Sequence, residues 1–166
     1  MKYAWTMVVP AVLAVVNTAA AGAPEVPVEA FISLCMSAKG NPDVVANAAL
    51  QRGFKVASPE QKARLMRAGG QGDAYVARDI ALVVEKGRRM CTVFAKSDNP
   101  EATGKQLKDW LPPPSTGFTV QTEAVGDTTT QSTVMYRIGL AGKPFAAWVF
   151  SINKRPSLFN IAITLQ

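Results

Sequence analysis

The sequence predicts an α+β fold, with N-terminal helices packed on an antiparallel β-sheet that is formed mainly by the C-terminal half. Helix-start signals and apolar residues at helical spacing dominate the first half of the chain. Alternating apolar and polar residues, separated by turn sequences, dominate the second half. Helices and strands segregated in this way are typical of α+β domains with antiparallel sheets. Two distant cysteines add a predicted disulfide between the two kinds of element.

The first 21 residues predict a secretory signal peptide. Lys2 is followed by an apolar run from Tyr3 to Val16 and then by small residues up to Ala21. This run is shorter than the about 20 residues that a membrane-spanning helix requires. We expect cleavage after Ala21, which leaves Gly22 as the new N-terminus, with an uncleaved anchor as the alternative. Residues 1–21 would then be a signal peptide, and residues 22–166 a single α+β domain in the periplasm or outside the cell, without a transmembrane segment.

Four helices are predicted from capping signals and apolar spacing. Asn41 and Asn99 each precede a proline and an acidic residue, which is a favourable helix start. Ser58 and Gln61 form a capping box for another helix. The first helix places its apolar residues on one face. The residues of this face are Val28, Phe31, Ile32, Cys35 and Met36.

Strands are predicted where β-branched and aromatic residues lie between turn signals. The expected strands cover residues 75–84, 90–95, 118–124, 128–140, 145–152 and 158–165. The first two would form a hairpin, although residues 75–84 also fit a helical period. Turns are expected at residues 126–127, 141–144 and 153–156. No internal repeat is evident.

Cys35 and Cys91 are the two cysteines of the chain, and an exported protein is expected to pair them in an oxidising compartment. Their spacing is too wide for a redox C-x-x-C motif, and two ligands do not complete a structural zinc site. A bridge would close a loop of about 57 residues and stabilise the fold by roughly 4 kcal/mol. Two separate buried thiols are the alternative.

The formal net charge of +6 suggests a preference for anionic neighbours, although ordinary solubility also explains it. Lys86, Arg88 and Arg89 form the one basic cluster, and we take them as candidate surface residues for binding. Thr128 and Thr130 are a second candidate, because they begin a polar strand that could serve in recognition or simply lie at a sheet edge. Aromatic residues do not alternate with the basic cluster, which argues against nucleic-acid binding.

The chain contains no histidine, which excludes Ser-His-Asp catalysis and histidine-ligated zinc. Ser151 and Lys154 match a Ser-x-x-Lys motif without its usual companion motifs. Asp73, Asp79 and Glu85 do not have the spacing of a calcium loop, and ordinary surface carboxylates explain them. No cofactor, metal or catalytic site is predicted. A hydrolase that uses carboxylates or the Ser-Lys pair is an alternative function.

The layout resembles small exported, periplasmic bacterial proteins with two cysteines and no known function. The shared features are the signal peptide, Phe31-x-x-x-Cys35 on the first helix and Cys91-x-Val93 on a central strand. This resemblance implies no activity and no site residues. We expect a non-enzymatic binding or accessory module of the cell envelope, whose partner is an envelope protein or a small apolar ligand. A peripheral protein attracted to anionic envelope surfaces is a further alternative.

Overall fold

The computed structural model describes residues 26–166. The predicted signal peptide and its cleavage site at Ala21 and Gly22 lie outside the described residues. Within residues 26–166, no helix has the length and apolar character needed to cross a membrane. The predicted α+β class is confirmed, because in this part of the chain helices pack on one antiparallel sheet of eight strands.

The first helix, α1 (Val26–Ala30), continues directly into a π-helical segment (Phe31–Met36), and three further α-helices follow. These are α2 (Pro42–Gln51), α3 (Pro59–Leu65) and α4 (Pro100–Asp109). The predicted caps are confirmed. Asn41 accepts from the backbone of α2, Asn99 accepts from the backbone of α4, and Ser58 with Gln61 forms the complete capping box of α3.

The eight strands lie in the order β1-β2-β3-β4-β8-β7-β6-β5, and every neighbouring pair is antiparallel. Their bounds are β1 (Lys55–Val56), β2 (Gly72–Ala77), β3 (Ile80–Glu85), β4 (Met90–Ala95), β5 (Phe118–Asp127), β6 (Gln131–Leu140), β7 (Lys143–Asn153) and β8 (Ile161–Leu165). Strands β1 to β4 and β5 to β8 are two meanders that meet where β4 pairs with β8. Within residues 26–166 the sheet therefore has two free edges, β1 and β5.

The main core lies between the helices and one face of the sheet. Because strand side chains alternate between faces, every second residue of the central strands contributes. Its largest buried members include Phe31 and Leu34 from the π-helical segment and Leu82, Tyr136 and Ile163 from the sheet. A smaller cluster on the other face packs α3 against β2 and β3.

The predicted disulfide is confirmed. Cys35 and Cys91 are bonded, and both are fully buried in the main core. Since Cys35 lies in the π-helical segment and Cys91 in β4, the bridge joins the helical layer to the centre of the sheet.

Several predicted strand boundaries were wrong. Residues 126–127, predicted as a turn, belong to β5, and β7 extends beyond its predicted bounds at both ends. Residues 75–84 are two strands, β2 and β3, joined by a tight turn at Arg78 and Asp79. Residues 128–130 form a turn in which Thr128 bonds to Gln131, so β6 begins later than expected. Residues 158–160 precede β8, whose first residue is Ile161. In addition, the short strand β1 was not predicted.

Candidate ligand-binding groove

An open groove of about 950 Å³ lies beside the first helix and is larger than two depressions of about 530 and 380 Å³ on the sheet. We call it the basic groove. It is bordered by α1, the connection from α2 to β1, the β2–β3 hairpin and the end of β4. Its lining residues are Val26, Pro27, Glu29, Ala30, Leu34, Arg52, Gly53, Phe54, Lys55, Gln61, Val76, Ala77, Arg78, Asp79, Ile80, Ala95 and Lys96.

The floor of the basic groove is apolar. Leu34, Phe54, Ile80 and Ala95 are buried residues of the main core that also line the groove. Val26, on the lip, is an apolar side chain that remains 66% exposed. Ligand sites are usually concave and mostly apolar, with a few polar groups that orient the ligand, and this groove has that composition.

The rim of the basic groove is cationic. Arg52, Lys55, Arg78 and Lys96 are exposed there together with the two carboxylates of Glu29 and Asp79, which leaves a net charge of +2. Among the described residues none of these four cations forms an ion pair, whereas Lys62, Arg67, Lys86, Arg137 and Lys154 all do. The rim therefore presents positive charge that has no acidic partner within residues 26–166.

Two rim arginines are held by local structure. Arg52, the C-cap of α2, donates a hydrogen bond from Nη1 to Ser33 Oγ in the π-helical segment. Arg78 is the first residue of the two-residue turn between β2 and β3 and has φ = 47°, in the left-handed region. A residue with a Cβ atom pays about 1–2 kcal/mol in that region. Backbone strain of this kind is found preferentially at functional positions, although it does not define one by itself.

The predicted basic cluster lies elsewhere, in the turn between β3 and β4. Lys86 Nζ is 3.0 Å from Asp73 Oδ2, and this hydrogen bond and the negative charge of Asp73 raise the pKa of Lys86. Arg88 and Arg89 are exposed in the same turn. Thr128 and Thr130 lie in the β5–β6 turn at the opposite end of the strands, where the two hydroxyl oxygens are 3.3 Å apart. The fold thus does not bring the two candidate sets together.

The serine and lysine of the Ser-x-x-Lys motif have separate partners. Ser151 Oγ is 3.0 Å from Thr133 Oγ1. Lys154 Nζ pairs with Asp127 and also donates to the carbonyl of Thr128 at 2.9 Å. The amine of Lys154 is therefore bonded to the β5–β6 turn.

The carboxylates singled out in the sequence also have separate surroundings. Glu85 is buried and bonded to Arg67 at 2.6 Å. Asp73 lies between Lys62 and Lys86, at 3.7 Å and 3.0 Å, and Asp79 lies on the rim of the basic groove. Among residues 26–166, no group of three or more Cys, Asp or Glu side chains is placed to hold a metal ion.

Comparison of this chain with protein-family models, curated proteins and solved structures finds no match. The basic groove was not predicted from the sequence, because its lining comes from separate segments of the chain. The one sequence signal was the charged pair Arg78-Asp79, which interrupts an apolar run and forms part of the rim.

Proposed function

We propose that the protein is an exported, non-enzymatic binding module of the bacterial cell envelope. In this proposal the basic groove holds a single-chain amphiphile with an anionic head group. The observation that carries the proposal is the combination in one groove of an apolar floor and four cations that have no acidic partner within residues 26–166. An alkyl chain would cover the floor next to Leu34, Phe54 and Ile80, and the head group would lie among the rim cations.

The size and electrostatics of the groove support this class of ligand. Ligand sites occupy about 300–1,000 Å³, and the groove volume of about 950 Å³ falls at the upper end of that range. The exposed rim charges act through water, so we expect them to contribute modestly and to be screened by salt. The apolar floor would then supply the part of the affinity that does not depend on ionic strength.

The proposal is tested with dodecyl phosphate below its micelle-forming concentration, with binding measured by calorimetry. Dodecyl maltoside has the same tail with a neutral head, and inorganic phosphate has the charge without the tail. We expect dodecyl phosphate to bind most tightly and its affinity to fall as salt is added. Equal binding of the phosphate and maltoside amphiphiles would contradict a role for the cationic rim.

Two double variants distinguish the groove from the overall charge. Lys55→Gln with Lys96→Gln removes two rim cations, and we expect affinity for dodecyl phosphate to fall about tenfold, the equivalent of 1.4 kcal/mol. Lys105→Gln with Lys108→Gln removes the same charge from α4, whose lysines do not line the groove. An equal loss in both variants would show that the attraction is unspecific.

A substitution at the apolar lip tests the contact with the alkyl chain. Val26→Ser should weaken dodecyl phosphate binding and leave the salt dependence unchanged, because it removes apolar contact and no charge.

N-terminal sequencing tests the export step. The protein recovered from the periplasm or medium should begin at Gly22. Recovery of the intact precursor from the cytoplasm would contradict the export part of the proposal.

A further inference from the structure

Strand β5 is a long free edge of the sheet. It spans ten residues, from Phe118 to Asp127, and most of its residues are exposed. Its only strand neighbour among residues 26–166 is β6. The opposite edge, β1, has just two residues. An edge strand presents a row of backbone N–H and C=O groups that can pair with another strand, so β5 offers a much longer pairing surface than β1.

Residues 118–124 lack the features that usually protect an edge strand. Such features include proline, lysine, bulges and short length. This stretch contains no proline and no lysine, and the β-bulge of β5 comes after it, between Ala124 and Gly126. Its one charged residue is Glu123, whose carboxylate is 3.0 Å from Arg137 Nε on β6. The stretch is therefore regular, rich in β-formers and nearly neutral.

We propose that β5 pairs antiparallel with β5 of a second copy of this chain, about a two-fold axis at Gln121. Gln121 is the middle residue of the regular stretch, so this register uses the whole of it. Symmetric pairing of one surface with itself is the usual way in which homodimers form. The two sheets would join into one continuous sheet across the axis.

The side chains of β5 complement each other in this register. On the face towards the helices, Phe118 lies opposite Ala124, so that a large side chain meets a small one. On the same face Val120 lies opposite Thr122, and both of these residues are β-branched. On the other face, Gln121 lies opposite its own symmetry mate, and Glu123 lies opposite the neutral Thr119. A register centred on Glu123 would place two carboxylates opposite each other, which is unfavourable.

A strand pair of this length buries less surface than the about 1,600 Å² of a standard stable interface. We therefore expect a dimer that dissociates on dilution, with sedimentation velocity showing an average mass that rises with protein concentration. The basic groove lies at the other end of the sheet, beside β2 and β3. Ligand binding and dimerisation can consequently be tested independently.

Cysteine cross-linking tests the register. Gln121→Cys places two thiols opposite each other on the axis, and mild oxidation should give a disulfide-linked dimer. Thr119→Cys and Glu123→Cys should each cross-link poorly alone and efficiently when the two variants are mixed. Thr129→Cys, in the exposed turn after β5, is the control and should remain monomeric.

Charge substitution provides a second test that does not depend on oxidation. Gln121→Glu and Gln121→Lys should each lower the dimer fraction about tenfold, because two like charges would repel each other on the axis. An equimolar mixture of the two variants should restore dimerisation, because opposite charges then meet. Thermal unfolding of each variant as a monomer verifies that the fold is intact. A wild-type chain that stays monomeric at millimolar concentration, or cross-linking at Thr129→Cys equal to that at Gln121→Cys, would overturn the proposal.

Discussion

Gly104 of α4 lies directly against the ring of Phe150 in β7. A Cβ atom added at this glycine would lie 2.7 Å from Phe150 Cε1. Gly104 is buried, and Phe150 is 5% exposed in the main core, so the aromatic ring has little room to move. The missing side chain at Gly104 therefore sets how closely α4 approaches the sheet.

Gly104→Ala should destabilise the protein even though alanine is the better helix former. Helix propensity alone favours alanine over glycine by about 1 kcal/mol. Overpacking of a well-packed core costs about 1–3 kcal/mol, and we expect it to prevail by roughly 1 kcal/mol in urea unfolding. The control is Lys105→Ala at the exposed neighbouring position, which should leave stability within about 0.5 kcal/mol of the wild type. A more stable Gly104→Ala variant would contradict the close contact.

Removal of the Cys35–Cys91 bridge should lower stability strongly. The cysteines are 56 residues apart in sequence, and a loop of this size corresponds to about 4 kcal/mol in the chain-entropy description. The double variant Cys35→Ala with Cys91→Ala should unfold at much lower urea concentration than the oxidised wild type. Adding reductant should destabilise the wild type and leave the double variant unchanged. Mass spectrometry that finds two free thiols in the purified protein, without added reductant, would contradict the pairing.

The helix starts were predictable because their signals are local. Asn41, Ser58 and Asn99 cap helices through hydrogen bonds to residues two or three positions away, so a short window of sequence contains the whole interaction. The disulfide was predictable for a different reason, since two cysteines allow one intramolecular pairing, and the predicted export favours its oxidation. The strand-rich second half was likewise predictable from alternation.

The turn at Arg78 and Asp79 was not predictable from alternation because β3 is buried on both faces. Its apolar residues form a continuous run, and such a run does not show where one strand ends and the next begins. The turn also uses Arg78 in a left-handed conformation that more often takes glycine or asparagine. The basic groove was hidden for a related reason, since its rim is assembled only when this turn, α1 and β4 come together.

A substitution at Ala141 should increase the stability of the protein. It forms the two-residue turn between β6 and β7 with Gly142, and both residues have positive φ, at 51° and 77°. Such turns favour Asn-Gly, because asparagine tolerates the left-handed region better than alanine. Ala141→Asn should therefore stabilise the protein by about 0.5–1 kcal/mol in urea unfolding, which is part of the about 1–2 kcal/mol that the left-handed region costs alanine. Gly142→Ala is the reciprocal control and should destabilise; a stabilising effect of Gly142→Ala would contradict the turn geometry.

Tyr136 should make stability fall at alkaline pH. Burial in the main core raises the pKa of its phenol above the ordinary value of 10.0, because the charged form loses its hydration. The folded protein thus keeps this proton while the unfolded chain begins to lose it. The raised pKa of Tyr136 contributes to the free energy of unfolding. This contribution is fully present below about pH 10 and is lost as the pH rises through the folded-state pKa. Tyr75 shifts in the same direction, mainly through burial.

Urea unfolding from about pH 9 to 11 measures the effect of Tyr136. Tyr136→Phe removes the titrating group, so its stability should decline less steeply with pH than that of the wild type. All other ionisable groups are common to both proteins and leave the difference between the two curves unchanged. Tyr75→Phe should flatten the curve separately, and the double variant should show the sum of the two changes. Identical slopes for Tyr136→Phe and the wild type would mean that the phenol titrates equally in the folded and unfolded states.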